Sequence, residues 1–177
     1  KIIMGAWGAG YFDSDMSCDC WAELKHENTE NALELIITYL QNVVNNNSYI
    51  EVDETDAAIV CSLLVIVLFT NYNWINETFT EKDIPKYVQE ELEIFLNRYQ
   101  KNWDENYKNK QIEIEIKIGE QKEVVSIPKL ANLSLKQVLN PKISESCELW
   151  VETEYYDEWK QRIQILVDKL EQIQTSQ

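Results

Sequence analysis

The sequence predicts a mainly α-helical fold: a multi-helix bundle of about six or seven helices around a buried central helix, with one inserted β-hairpin. Three observations carry this. Apolar residues recur at three and four spacing over most of the 177 residues, the signature of one-sided helices. The run Ala57 to Phe69 is apolar on nearly every face, which places a helix in the interior of a bundle. Gln111 to Ile118 alternates strictly between polar residues and isoleucine, which is a strand period.

In chain order, Ser14 or Asp15 caps a first helix over about Asp15 to Glu27, with Cys20, Trp21 and Leu24 on one face. Thr29 or Asn28 opens a second, whose stripe Leu33, Ile36, Ile37, Leu40, Val43 and Val44 ends at an asparagine run. Thr55 followed by Asp56 starts the central helix. Thr80 and Asp83 form a capping-box-like start to a long helix with Pro85 in its first turn and Val88, Leu92, Phe95, Leu96, Tyr99 and Trp103 inward.

Gly119 turns the alternating stretch back into Lys122 to Ile127, making a hairpin over about 111–127. A lone hairpin is marginal in water, so its isoleucine face must lie on the helices or on a partner. A short helix over Leu130 to Leu139 is ended by Pro141, Ser144 caps another through Trp150, and a last helix runs from Tyr156 to Ile173. No repeat or linker divides the chain, so residues 1–177 are expected to form a single domain.

Charge is the unusual property. The net charge is −15, and residues 1–83 hold 14 of the acidic and 3 of the basic side chains. Such a surface repels phosphate backbones and anionic lipid, so neither nucleic acid nor membrane is an expected partner, and a basic protein is the complement. The longest apolar run is too short to span a bilayer. Four cysteines without framework spacing read as buried free thiols in a reducing compartment, the cytoplasm, and the first residues lack the apolar core of a signal peptide.

Cys18 and Cys20 point apart around a helix and the sole histidine is His26, so no metal site, cofactor or catalytic nucleophile is assigned. Gly5-x-x-Gly8-x-Gly10 has no preceding strand and is followed by Asp13 and Asp15, which repel phosphate. Its glycines are expected to permit positive φ and close packing around Trp7.

Acidic residues form two clusters. Asp15, Asp19, Glu23 and Glu27 are spaced by four on the first helix, where like charges cost about 0.2–0.5 kcal/mol per pair. Glu51, Asp53, Glu54 and Asp56 stand before the central helix. Together they are read as a surface that steers a cationic partner, with Tyr72 and Trp74, in a predicted loop, as candidate aromatic anchors.

Met4-Gly-Ala-Trp-Gly-Ala-Gly-Tyr-Phe-Asp-Ser-Asp15 resembles the opening of a bacterial domain-of-unknown-function family whose members commonly begin M-G-A-W-G-x-G-x-F-x-x-D. The segment from Asp56, Ser144 to Trp150, and Trp159 with its closing helix are similar to later landmarks of that family. The resemblance implies a bacterial origin, Met4 as initiator, and Gly5, Trp7, Gly8, Gly10, Phe12, Asp13 and Asp15 as a motif, here assigned to architecture. Family members carry Trp directly after the position of Asp19, where this chain has Cys20 and then Trp21. The hairpin looks like an insertion relative to shorter relatives.

Small acidic proteins of such families are often immunity proteins that cover a co-encoded toxin. The leading expectation is therefore a non-enzymatic immunity protein that binds a cognate, basic, cytosol-acting toxin through acidic surface. The alternatives are a cytosolic protein-binding module without a toxin, binding by strand addition to the hairpin edge, and a carboxylate-dependent hydrolase. An enzyme predicts a concave site with convergent carboxylates of perturbed pKa, and an inhibitor a flat or convex acidic face.

Overall fold

The computed structural model describes residues 6–26, 28–46, 48–70, 72–116 and 121–176. Among them lie eight α-helices: α1 (Asp15–His26), α2 (Thr29–Asn45), α3 (Val52–Thr70), α4 (Asn73–Thr78), α5 (Lys86–Asn102), α6 (Ile127–Val138), α7 (Glu145–Val151) and α8 (Tyr156–Thr175). One antiparallel hairpin, β1 (Gln111–Ile116) and β2 (Gln121–Ser126), sits between α5 and α6. No helix among the described residues is long and apolar enough to cross a membrane.

The bundle is organised by α3. Every residue from Thr55 to Leu68 is buried, and α3 touches each of the other seven helices. A helix without a polar face has nowhere to lie but the centre, so the all-round apolar run and the all-round packing are one fact seen twice. The stripes of α2, α5 and α8 then turn inward as their spacing requires: Leu33, Ile36 and Leu40, Leu92 and Phe95, Leu166 and Leu170 are all buried.

Five local expectations are corrected. The central helix starts at Val52, one turn before Thr55, because Glu54 reaches back to accept from the Glu51 N–H (3.2 Å) while Glu145 accepts from the Val52 N–H (2.8 Å). This is a capping box built on glutamate, and it makes Asp56 an interior residue of α3. The Thr80–Asp83 pairing does form, with the Thr80 N–H donating to Asp83 Oδ2 (2.8 Å). It closes a separate turn, and α5 begins at Lys86 after Pro85.

The chain does not leave the helical path at Trp103. A π-helical turn over Trp103–Tyr107 follows α5, with the Lys108 N–H donating to the Trp103 carbonyl (2.9 Å). Its wider winding lets Trp103 and Tyr107 both face inward, with rings stacked at 6.1 Å. Helix α6 starts at Ile127, three residues early, since Pro128 occupies its first turn where no N–H is needed. Residues 73–78, taken as loop, form α4.

The hairpin register pairs Ile112 with Val125 and Ile114 with Glu123, and Ile112, Ile114 and Val125 are buried against α2 and α6. The outer edge of β1 is already used: Gln41 of α2 donates to the Glu113 carbonyl (3.0 Å), and Asn45 accepts from the Glu115 N–H (3.0 Å). Strand addition at this edge of β1 would have to displace both amides. The predicted turn at Gly119 lies outside the described residues.

Candidate functional site

The glycine loop is built around a carboxylate. The Trp7 N–H donates to the Asp13 carbonyl (2.9 Å) and the Gly10 N–H to Asp13 Oδ2 (2.9 Å), curling residues 6–14 into a tight loop. A Cβ on Gly8 would sit 2.2 Å from Asp13 Oδ2, and one on Gly10 would sit 2.8 Å from both Asp13 Oδ2 and the Lys82 carbonyl. Neither glycine adopts the left-handed conformation. The glycines are therefore needed for close approach to Asp13, and the expected packing around Trp7 is wrong: Trp7 is 62% exposed. Phe12 is fully buried, as an architectural residue should be. Gly5 lies outside the described residues.

Substituting Gly10 tests this reading. Gly10→Ala is expected to lower stability by about 1–3 kcal/mol, the usual cost of overpacking, because the Lys82 carbonyl it meets is backbone and cannot swing away. Urea denaturation compared with Gly119→Ala, remote from this loop in sequence, measures the difference.

Behind the loop lies a cavity of about 330 Å³. Its base is polar and buried. Asp56 of α3 is 7% exposed and accepts from Ser14 Oγ at 2.6 Å, while Ser14 Oγ accepts from the Ser17 N–H (3.0 Å) and lies 2.7 Å from Ser17 Oγ. Ser146 of α7 is a second hydroxyl partner of Asp56 and is itself hydrogen-bonded to Thr55. Burial lifts the Asp56 carboxyl from its ordinary 3.8 to about 6, against the pull of the two serines and with a smaller push from Asp53. The walls are apolar and aromatic, including Ile59, Trp150, Trp159 and Ile163. Trp150 and Trp159 stack on each other at 5.9 Å.

Arg162 of α8 also lines the cavity, but its charge is taken. Its Nε bonds Asp83 Oδ1 at 2.8 Å and its Nη1 lies 2.9 Å from Glu158 Oε1. The Tyr11 hydroxyl donates to the Arg162 carbonyl (2.8 Å), tying the loop to α8. A neighbouring cleft of about 690 Å³, sharing Gly8, Asp13, Trp150 and Arg162 with this cavity, is bordered by exposed Trp7 and Tyr155.

The acidic clusters meet elsewhere. Asp19 and Glu23 of α1 and Asp53 and Glu54 of α3 line one groove of about 230 Å³, whose lining includes no basic residue. The first helix and the start of the third are adjacent because α1 packs on α3, an arrangement that neither cluster specifies alone. Lys25, the one base within reach in sequence, is held by Glu91 of α5 at 2.8 Å, so it does not neutralise this face. Glu23 accepts from the Tyr39 hydroxyl, whose pKa is raised by partial burial and by that carboxylate. The acidic face is thus a groove rather than the flat surface expected.

The other predicted site residues are dispersed. Asp15 is exposed and lines the Asp56 cavity instead, and Glu51 is exposed at the cap of α3. Glu27 lies outside the described residues. Tyr72 and Trp74 flank the opposite end of α3, half-buried against the core, with Trp74 edge-on to Phe79 at 5.1 Å and under Lys169 at 5.5 Å. They cap the bundle and are not free anchors. Besides Trp7, exposed Tyr49, Tyr87 and Tyr155 are aromatic side chains that sequence reasoning missed, since nothing in their spacing distinguishes them from core positions.

All four cysteines are free thiols; Cys20, Cys61 and Cys147 are buried as expected, whereas Cys18 is only half-buried, and burial raises the Cys61 thiol well above its ordinary value. No group of three or more His, Cys, Asp or Glu among the described residues could hold a metal ion. No curated protein and no solved structure matches this sequence. One family model does, described as "Domain of unknown function (DUF4259)", and it matches residues 5–162, a span that runs from the glycine loop through the hairpin to Arg162. The chain belongs to this family.

Proposed function

We propose that this protein is a non-enzymatic immunity protein that neutralises a basic bacterial toxin in the cytoplasm by binding it through the acidic groove of α1 and α3. One observation carries the reading: two clusters separated by some thirty residues of sequence converge as Asp19, Glu23, Asp53 and Glu54 on one groove, with Lys25, the lysine close to Glu23 in sequence, paired to Glu91. Like charge at a groove without a basic lining residue costs stability, only partly offset for Asp53 and Glu54 by the N-terminus of α3, and a cationic partner recovers that cost on binding. Exposed carboxylates steer association and are screened beyond about 8 Å at physiological salt.

The test is capture of partners by the immobilised protein at low and high salt, followed by toxicity rescue. A basic protein encoded beside this gene should be retained at low salt. Glu23→Lys with Asp53→Lys should weaken its binding by at least about tenfold, roughly 1.4 kcal/mol, and abolish rescue. Retention unaffected by salt and by both reversals would overturn the groove as the binding surface.

A second reading, a carboxylate-dependent hydrolase, draws on the Ser14 hydroxyl donating to the buried Asp56 in a cavity. Ester turnover that disappears in Ser14→Ala while the fold is retained would favour it over inhibition.

A further inference from the structure

The cavity beneath the glycine loop presents a charge problem that the acidic groove does not share. Asp56 is buried, and among the described residues it has no cationic partner: its hydrogen bonds come from the serine hydroxyls. A buried carboxylate is retained only when it is paired or neutralised. The one guanidinium in the lining is matched by Asp83 and Glu158, whereas Asp13 and Asp15 add two more carboxylates. The cavity lining therefore carries three carboxylates against one guanidinium, which is ion-paired to Asp83 and Glu158 although its buried Nη1 makes no hydrogen bond.

Its shape adds a second constraint. The volume of about 330 Å³ lies at the small end of ligand pockets, roughly 300–1,000 Å³. Its walls of Ile59, Leu149, Trp150, Trp159 and Ile163 are hydrocarbon and indole, suited to an alkyl or aryl body. A polar base under apolar walls orders a ligand with one charged end.

We propose that this cavity is a binding site for a small organic ammonium ion, its charged end on Asp56 and its hydrocarbon body against the two tryptophans. Ser14 and Ser146 hold the carboxylate in place, and Asp13 and Asp15 attract the cation from the loop side. The ammonium supplies the missing countercharge, so binding keeps Asp56 ionised. This site is distinct from the acidic groove and does not depend on a toxin.

The experiment is titration of the whole protein with n-butylammonium, with 1-butanol and butyrate as neutral and anionic controls, followed by calorimetry and indole fluorescence. Saturable binding of butylammonium, with a fluorescence change and at least about tenfold preference over both controls, is expected. Asp56→Asn should weaken it by about tenfold or more, one hydrogen-bonded charge pair's worth. Leu149→Trp, which fills the cavity while leaving Asp56 intact, should also abolish it, and serves if Asp56→Asn does not fold. No saturable butylammonium binding, equal binding of butanol, or binding unchanged in both variants would overturn the proposal. None of these readouts involves a protein partner, so failure here leaves the groove untouched, and failure of the groove leaves this site standing.

Discussion

Asp56→Asn is expected to stabilise the protein at neutral pH and to lose that advantage in acid. Burial holds the folded-state pKa at about 6, above the ordinary 3.8. A raised carboxyl pKa means that the native state binds more protons than the unfolded chain between the two values. The contribution of this group is then fully present below about pH 4 and is lost as pH rises through about 6. At about 1.4 kcal/mol per pKa unit, the ionised carboxylate costs up to about 3 kcal/mol at neutral pH.

Asparagine keeps an oxygen to accept from Ser14 and carries no charge, so most of that cost disappears. Urea midpoints of wild type and variant at about pH 4 and about pH 8 check this: the gap should widen with pH in favour of the variant. A variant that is equally or less stable at both would show that the hydroxyl network compensates the charge. A native chain that keeps a carboxylate costing this much fits the view that destabilising groups persist where a ligand meets them.

Leu64→Ala should destabilise the fold by about 2–5 kcal/mol, which is a large fraction of a typical domain's total of about 5–15 kcal/mol. Leu64 is fully buried in α3, the helix that touches every other, so the surrounding side chains are fixed from all sides and cannot collapse into the space. Leu133→Ala, at a partly buried position of α6, should cost less than half as much, because solvent and neighbouring side chains can fill the vacated volume. Thermal and urea unfolding of the two variants measure the contrast. Near-equal losses would mean that α3 is less rigidly surrounded than its packing indicates.

The helices were legible in the sequence wherever one face alone is apolar. The stripe of α2 from Leu33 to Val44 and that of α8 from Trp159 to Ile173 are buried residue for residue, because a 3.6-residue period leaves little choice of which face turns inward. Ser144 caps α7 and Asn28 caps α2 for local reasons also visible in sequence. Starts that depend on partners from elsewhere in the chain were not visible. The first turn of α3 is secured by Glu145, ninety-three positions away, and α6 follows β2 without a loop because the hairpin packs on α2 and α6.

The same division holds for the sites. Composition and spacing alone determined that the protein is a helical bundle with an acidic first half, since charge and period are properties of the chain itself. Tertiary structure decided which carboxylates act together. Glu23 and Asp53 became neighbours because α1 packs on α3, while Asp56, counted with Asp53 in sequence, turned inward to meet Ser14 and Ser146. Asp53 and Asp56 lie only about 60° apart around α3, so helix rotation does not separate them. Depth does: Asp53 stands exposed in the first turn, and Asp56, one turn further in, is buried where Ser14 at the end of the glycine loop covers it, a difference that exists only once the surrounding elements are in place.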